Sequence, residues 1–311
     1  MSNNILIFSP TGGVSSQTAI HALNNAPPST KITLAMRNPS ATLPPPLSTL
    51  PRVQADLTSP ASILSAARTS AAKTAFIYLA FGAPDHMRGA ITALKQGGVE
   101  FVVFLSSSSV RGDAHSVGAE SFIAWQHAQV EVVLEEVFGK GGFVAVRPGY
   151  FAGNLLGWWF GEEKGVVRMP YPEAKFDFVA PEDIGRVCGG LVVRGRVEGG
   201  EGVVLVAGPQ VISQAEAMGV VTRVVGKDVT VQGFGEGEEE EAVKYVVARL
   251  GIMEIGARQL VKEFKEVAEG AESWGNGEYE VAVANIEKYG GSKPTGIQQW
   301  VEENKGKFIG A

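Results

Sequence analysis

The 311-residue sequence lacks several features that would assign a protein to a compartment or to a class of partner. Its one cysteine, Cys188, excludes an internal disulfide and fits a reducing environment. It has no basic block and its net charge is −6, so we expect no nucleic-acid partner. It has no apolar run of transmembrane length and no basic segment ahead of an apolar one near the N-terminus. We therefore expect a cytoplasmic protein without a membrane partner or a secretory signal, and the oligomeric state is left open.

Short apolar segments alternate with helical segments in the first half of the chain. Strands are predicted at residues 5–8, 32–36, 53–57, 74–80, 101–105 and 143–146. Helices are predicted at residues 18–23, 61–72, 87–96 and 122–138. This alternation indicates an α/β fold with a Rossmann-like, doubly wound parallel sheet.

The pattern changes after Pro148, and we expect two units. Residues 1–148 are predicted to form a dinucleotide-binding Rossmann domain, and residues 149–311 a smaller substrate-side lobe interleaved with late strands of the sheet. Further strands are expected at 203–206 and 229–231, and helices at 181–193, 214–225, 242–269 and 294–301. The acids of residues 236–241 are interpreted as a solvated first helical turn, and no metal site is expected.

The turn after the first strand has little glycine for a pyrophosphate-binding loop. Glycine normally lets a phosphate approach backbone amides at a helix N-terminus, but serine stands at Ser9 and Ser15. A hydroxyl can donate to phosphate, so the turn remains compatible with a dinucleotide. The residues expected to contact the cofactor here are Ser9, Thr11, Gly12, Gly13 and Val14.

Residues at the ends of later strands complete the predicted cofactor site. Arg37 follows the second strand, where an arginine favours the 2′-phosphate of NADP(H) over NAD(H). A surface arginine at a strand end is the alternative interpretation. Asp56 and Leu57 end the third strand, beside the expected adenine, and Ala80 and Phe81 end the fourth.

Several short motifs resemble the NmrA-like group of atypical short-chain dehydrogenases/reductases. They are residues 8–14, 36–39, 55–57, 147–151 with 154–155, 176–179 with 182–184, and 207–209. In the family's Gly-x-x-Gly-x-x-Gly turn, this chain has Ser9, Gly12 and Ser15. The resemblance implies NADPH-dependent reduction of enones, quinones or iminium ions, or dinucleotide sensing without turnover, or non-redox chemistry in fungal secondary metabolism.

The catalytic pair of short-chain dehydrogenases is absent from its usual helix. Those enzymes use a serine after the fifth strand and a Tyr-x-x-x-Lys pair on the next helix. Ser108 is the best match for the serine, whereas Ile123 and His127 replace the tyrosine and lysine. His127 is therefore our candidate for proton transfer, with Glu131 one turn further to orient it. A buried structural histidine is the alternative interpretation.

Aromatic residues after the sixth strand predict a pocket for a flat small-molecule substrate, although core packing would explain them as well. Tyr171 and Asp177 are candidate acids in that pocket. The predicted substrate contacts are Tyr150, Phe151, Asn154, Trp158, Trp159, Met169 and Phe176.

Three functions remain open at this point. The first is NADPH-dependent reduction of a conjugated or iminium-like carbon in an aromatic metabolite, with Ser108 and His127 placing substrate and proton. The second is a non-redox isomerase or cyclase in which Asp177, Tyr171 or His127 supplies a proton. The third is a dinucleotide-sensing regulator.

Overall fold

A seven-stranded parallel sheet forms the centre of the computed structural model, which describes residues 3–195, 202–235 and 237–310. The strand order is β3-β2-β1-β4-β5-β6-β9. The predicted Rossmann-like α/β fold is therefore confirmed. The seven strands are β1 Ile5–Phe8, β2 Ile32–Met36, β3 Arg52–Gln54, β4 Thr74–Tyr78, β5 Phe101–Leu105, β6 Phe143–Pro148 and β9 Val203–Val206.

Helices cover both faces of this sheet because its strands are apolar on both sides. One face packs against α2 Pro60–Ser70, α3 Arg88–Gln96 and α4 Phe122–Phe138. The other face packs against α1 Gly13–Asn25, α6 Pro181–Arg194 and α10 Glu278–Gly290. The strand order reverses between β1 and β4, so a crevice is expected at the carboxyl edge there.

Two glycines of α6 bring that helix unusually close to α1. A Cβ at Gly185 would lie 2.4 Å from the Cβ of Gln17, and one at Gly189 would lie 2.6 Å from the Cβ of His21. Any larger residue would force the helices apart. This packing places Pro181, the first residue of α6, beside Gly13 at the start of α1.

A further apolar core, formed by residues between Ala152 and Phe308, lies apart from the central sheet and is accompanied by two small two-stranded sheets; we call this part of the structure the C-terminal lobe. In one sheet β7 Val166–Arg168 pairs with β11 Thr230–Gln232, and in the other β8 Lys175–Phe176 pairs with β10 Ile212–Ser213. The remaining helices are α5 Asn154–Trp159, α7 Gln214–Val225, α8 Glu239–Leu250, α9 Glu254–Ala268, α11 Ile297–Glu303 and α12 Lys305–Ile309.

The predicted single helix over 242–269 is wrong. The structure has two helices there, α8 and α9, because Gly251 adopts φ +64° and ends the first of them. The predicted final helix is confirmed as α11, in which Trp300 is 2% exposed. Glu236, the first acid of the run assigned to a helical turn, lies outside the described residues.

The ranges that the structure describes contain neither a membrane-spanning helix nor a metal-binding cluster. No helix there is long and apolar enough to cross a membrane. No group of three or more His, Cys, Asp or Glu side chains there could hold a metal ion.

Candidate functional site

A cavity of about 350 Å³ lies at the carboxyl ends of β1, β2 and β4. These strands flank the point where the strand order reverses, so their carboxyl ends converge on one crevice. The structure brings seven of the predicted cofactor residues together around it. They are Ser9, Thr11, Arg37, Asp56, Leu57, Ala80 and Phe81.

The turn between β1 and α1 keeps a glycine-like backbone although serine replaces glycine. Ser9 adopts φ +55°, and its carbonyl accepts a hydrogen bond of 3.0 Å from the amide of Gly12. Gly12 caps α1 without any side-chain hydrogen bond, and the first turn of α1 contains no acid. Its amides are therefore suited to an anion. Gly13 is exposed, whereas the side chain of Val14 packs in the core and does not line the cavity.

The carboxylate of Asp56 is held by its own turn. It accepts hydrogen bonds from the backbone N–H of Thr58 at 2.9 Å and from the Thr58 hydroxyl at 2.8 Å. These bonds, and the nearby charge of Arg37, lower the pKa of Asp56. The Arg37 side chain is exposed where the cavity joins a groove of about 600 Å³ along α2. This position matches the one expected for recognition of a ribose substituent.

A second cavity, of about 600 Å³, lies beyond β5 and β6 at the same edge of the sheet. We call it the aromatic cavity, because aromatic side chains form much of its wall. Six predicted residues line it, namely Ser108, Tyr150, Phe151, Asn154, Phe176 and Asp177. Residues from α9 and from the segment before α10 close its other side, among them Gln259, Glu263, Phe264 and Trp274.

Asp177 is a buried acid in the wall of the aromatic cavity, with 3% of its surface exposed. Its Oδ1 accepts a hydrogen bond of 3.0 Å from the amide of Tyr150, and its Oδ2 one of 2.9 Å from the amide of Gly208. Burial outweighs these bonds and raises the pKa of Asp177 to about 6. The side chain fits because residue 149 is glycine, where a Cβ would lie 2.3 Å from Oδ1.

An aromatic cluster forms the floor next to Asp177. The Tyr150 ring stacks on Phe176, with centroids 4.5 Å apart, and meets Phe264 edge-on at 5.7 Å. Burial raises the pKa of Tyr150 to about 12, so its phenol stays protonated at neutral pH. Such a wall presents ring faces to a flat ligand. Glu263, across the cavity, is a second acid whose pKa burial raises.

Four predicted site residues lie elsewhere. Trp158, Trp159 and Met169 are 0–5% exposed and belong to the core of the C-terminal lobe, so core packing explains them. The indole N–H of Trp158 donates a hydrogen bond of 3.4 Å to the hydroxyl oxygen of Tyr150. Tyr171 lies in the turn before β8, with φ +48°, and does not line the aromatic cavity.

His127 is not placed to exchange protons in the aromatic cavity. Its ring lies 6.1 Å from the rings of both Phe81 and Phe104, and its Nδ1 is buried without a hydrogen-bond partner among the described residues. Burial lowers the pKa of His127 to about 4, so the imidazole is neutral at physiological pH.

Glu131 does not orient His127. Its carboxylate instead pairs with the Arg147 guanidinium, at 3.0 Å from Nε and 2.6 Å from a terminal nitrogen. Ser106 also donates to it at 2.5 Å, and all three side chains are buried. This is a structural ion pair between α4 and β6, and the expectation for Glu131 is corrected.

Sequence reasoning did not find the residues contributed by α9 and by the segment after it. Gln259 accepts a hydrogen bond of 2.8 Å from the amide of Ile123, at the start of α4. Arg111, between β5 and α4, donates to the carbonyls of Glu272 and Ser273. These contacts join positions more than 100 residues apart, and no local motif marks them.

Comparisons with known proteins place the fold. No protein-family model matches the chain. The nitrogen metabolite regulation-like protein bik4 of Gibberella fujikuroi is 31% identical over 99% of this chain and 98% of its own length. An NADPH-dependent quinone oxidoreductase from Escherichia coli has a TM-score of 0.69 at 21% identity, covering 96% of this chain and 98% of its own.

The negative transcriptional regulator NmrA, solved in complex with NADP, has a TM-score of 0.68 at 14% identity, over 97% of this chain and 95% of its own. At such identities the solved structures show the shared fold. The similarity to bik4, at 31% identity, extends over nearly the whole of both chains and therefore shows the family as well as the fold. The chain belongs to the nitrogen metabolite regulation-like (NmrA-like) family.

Proposed function

We propose that this protein is an NADPH-dependent reductase of a conjugated or iminium-like carbon in an aromatic small molecule. The observation that carries the proposal is the position of two cavities at one edge of the sheet. One lies at the point where the strand order reverses, which is where doubly wound folds bind nucleotides. The other is aromatic and contains a buried acid.

The residues around the first cavity fit NADPH. Gly12 and Gly13 leave open space next to the uncapped amides of α1, since a Cβ at either would meet nothing closer than 3.5 Å. Arg37 offers an exposed positive charge for a 2′-phosphate. Two neighbours in fold are a quinone oxidoreductase described as NADPH-dependent and a regulator solved with NADP, and both support this cofactor.

The aromatic cavity suits a substrate that needs little acid catalysis. Bound NADPH would supply the hydride. Ile123 lines the cavity at the usual position of the catalytic tyrosine, so no phenol there can protonate a developing alkoxide. Reduction of an iminium ion needs no acid, because the hydride itself neutralises the cation. Reduction of a conjugated alkene needs one proton, which water or Asp177 can supply. Ser108 lines the same wall and can donate a hydrogen bond to the substrate.

Asp177 also favours a second candidate, an isomerase or cyclase that works without redox chemistry. A carboxyl with a pKa of about 6 is protonated in roughly one molecule in ten at pH 7, and it regains its proton readily. Such an acid can protonate an alkene, epoxide or carbonyl. The aromatic faces of Tyr150 and Phe264 would then stabilise the cation that results.

Calorimetric titration with NADPH and NADH tests the cofactor. We expect NADPH to bind, and Arg37→Ala to weaken it by about tenfold or more while leaving NADH nearly unchanged. Arg223→Ala, at an exposed position of α7, is the matched control and should change neither affinity. Equal weakening of both cofactors by Arg37→Ala would remove the 2′-phosphate argument.

A turnover assay with aromatic enones and iminium ions separates the candidates. Consumption of NADPH with substrate supports the reductase. Conversion of a substrate when the cofactor is omitted supports the isomerase or cyclase. Binding of NADPH without any conversion supports a dinucleotide-sensing regulator; the relative bik4 is described as nitrogen metabolite regulation-like. Failure of NADPH to bind at millimolar concentration contradicts both the reductase and the sensor.

A further inference from the structure

The segment between α9 and α10 supplies part of the wall of the aromatic cavity. Ala271, Glu272, Ser273 and Trp274 all line it. Arg111, which follows β5, fixes this segment by donating from its guanidinium to the carbonyl oxygens of Glu272 at 3.0 Å and Ser273 at 2.9 Å. Trp274 is therefore held at a defined place opposite the carboxyl ends of β5 and β6.

The indole N–H of Trp274 is buried and makes no hydrogen bond to any residue that the structure describes. A buried donor without an acceptor is unusual in a folded protein and calls for a partner. The N–H lies near the Asp177 carboxylate and stabilises its charged form, but without the geometry of a normal hydrogen bond. Each oxygen of Asp177 already accepts one backbone amide, from Tyr150 or Gly208, and keeps a second lone pair.

Neighbouring contacts fix the position of both groups. The Trp274 ring lies 6.4 Å from the ring of Tyr279, and the Tyr279 hydroxyl donates to the carbonyl of Gly208 at 2.9 Å. The amide of Gly208 in turn donates to Asp177. The indole N–H and the Asp177 carboxylate are thus neighbours at the same cavity, and each has unused hydrogen-bonding capacity.

We propose that Trp274 and Asp177 together bind a hydroxyl group on the aromatic ligand of this cavity. The hydroxyl oxygen accepts a hydrogen bond from the indole N–H of Trp274. The same hydroxyl donates a hydrogen bond to the carboxylate of Asp177. The ring that carries the hydroxyl packs on the cluster of Tyr150, Phe176 and Phe264. The inference deepens the proposed function, on which it rests for the identity of the cavity as the substrate site. Trp274 acts here as a positioning residue.

A matched pair of probes tests this recognition by calorimetry without any cofactor. 1-Naphthol and 1-methylnaphthalene are similar in shape, and the first carries a hydroxyl where the second has a methyl group. We expect the wild-type protein to prefer 1-naphthol by about tenfold, the factor that corresponds to one well-placed hydrogen bond. Trp274→Phe keeps an aromatic ring and removes the donor, so it should abolish most of that preference without weakening 1-methylnaphthalene.

Three further variants separate recognition from a structural role. Trp274→His restores a ring N–H and should recover part of the preference. Trp125→Phe changes a tryptophan of α4 that packs on His86 and does not line the cavity, so it should leave the preference intact. Arg111→Ala releases the segment and should weaken both probes by the same factor.

An unchanged preference in Trp274→Phe, or an equal loss in Trp125→Phe, overturns the proposal. So does a wild-type protein that does not prefer the hydroxyl, or that binds neither probe up to its solubility limit. The calorimetric measurement uses no NADPH. If the protein fails to bind NADPH but still shows the Trp274-dependent preference, the reductase proposal is contradicted and the hydroxyl-binding proposal is supported. If the protein binds NADPH but shows no Trp274-dependent preference, the hydroxyl-binding proposal is overturned and the proposed cofactor is supported.

Discussion

The raised pKa of Asp177 predicts a dependence of stability on pH that one substitution should remove. In the folded protein burial moves this pKa from 3.8 to about 6. The folded state therefore binds the proton more tightly than the unfolded chain does. The stability that this proton contributes is fully present below pH 3.8 and is lost as the pH rises through about 6.

The magnitude follows from the size of the shift. A difference of about 2 pKa units corresponds to about 3 kcal/mol in the free energy of unfolding. The interval from pH 4 to pH 7 contains about 2 kcal/mol of it, because the unfolded chain has already begun to titrate at pH 4. The near-complete burial of Asp177 means that solvent screening does not reduce this figure much.

Urea unfolding of the wild type and Asp177→Asn at several pH values measures the effect. The substitution places an amide opposite two backbone N–H donors, which changes stability by an amount that does not vary with pH. In addition to that constant offset, the free energy of unfolding of the variant relative to wild type should rise by about 2 kcal/mol between pH 4 and pH 7. Asp228→Asn, at an exposed position, is the control and should show a constant difference. A constant difference for Asp177→Asn would refute the raised pKa.

Three further substitutions test the packing around the two cavities, each by urea unfolding at pH 7. Gly208→Ala places a Cβ 1.9 Å from the carbonyl oxygen of Asp177, so we expect a loss of about 3 kcal/mol or more; a loss below 1 kcal/mol would contradict this contact. Glu131→Gln leaves the Arg147 charge buried without its counter-ion and should cost about 3–5 kcal/mol, whereas a neutral result would mean that water reaches the pair. Ser9→Gly relieves a left-handed conformation and should raise the free energy of unfolding by about 0.5–1 kcal/mol; destabilisation would argue against φ +55°.

Strand and helix positions in the first half of the chain could be predicted because there the local pattern and the tertiary fold agree. The strand predicted at 5–8 and the helix predicted at 122–138 have the bounds of β1 and α4. The prediction was weaker in the C-terminal lobe, where short strands of two or three residues pair with distant segments. β8 has two residues and pairs with β10, and no periodicity is readable over such a length. The break at Gly251 depends on a single positive φ.

Residues that line a cavity could be predicted from the sequence where they directly follow a strand. Whether an aromatic residue lines a cavity or packs in a core could not be predicted, because its burial depends on the tertiary fold. Ser9, Arg37 and Asp56 follow adjacent strands, so the parallel sheet brings them together whatever lies elsewhere. Trp158 and Trp274 illustrate the opposite case, because a tryptophan has the same sequence signature in a core as in a cavity wall. The first packs inside the lobe, and the second faces the cavity after α9 has folded back across α4.

The two departures from the usual dehydrogenase pattern have different structural consequences. At Ser9 the glycine is lost, but the backbone keeps φ +55° and the amides of α1 remain uncapped, so the features that a phosphate needs are retained. At Ile123 the phenol is lost, and His127 does not replace it because its pKa is about 4. Acidic groups of raised pKa come instead from Asp177 and Glu263, which line the aromatic cavity and lie outside α4. For the reductase that we propose, the cofactor half of the site is therefore preserved in its backbone and the proton-transfer half is rearranged. This combination favours substrates whose reduction develops no full alkoxide.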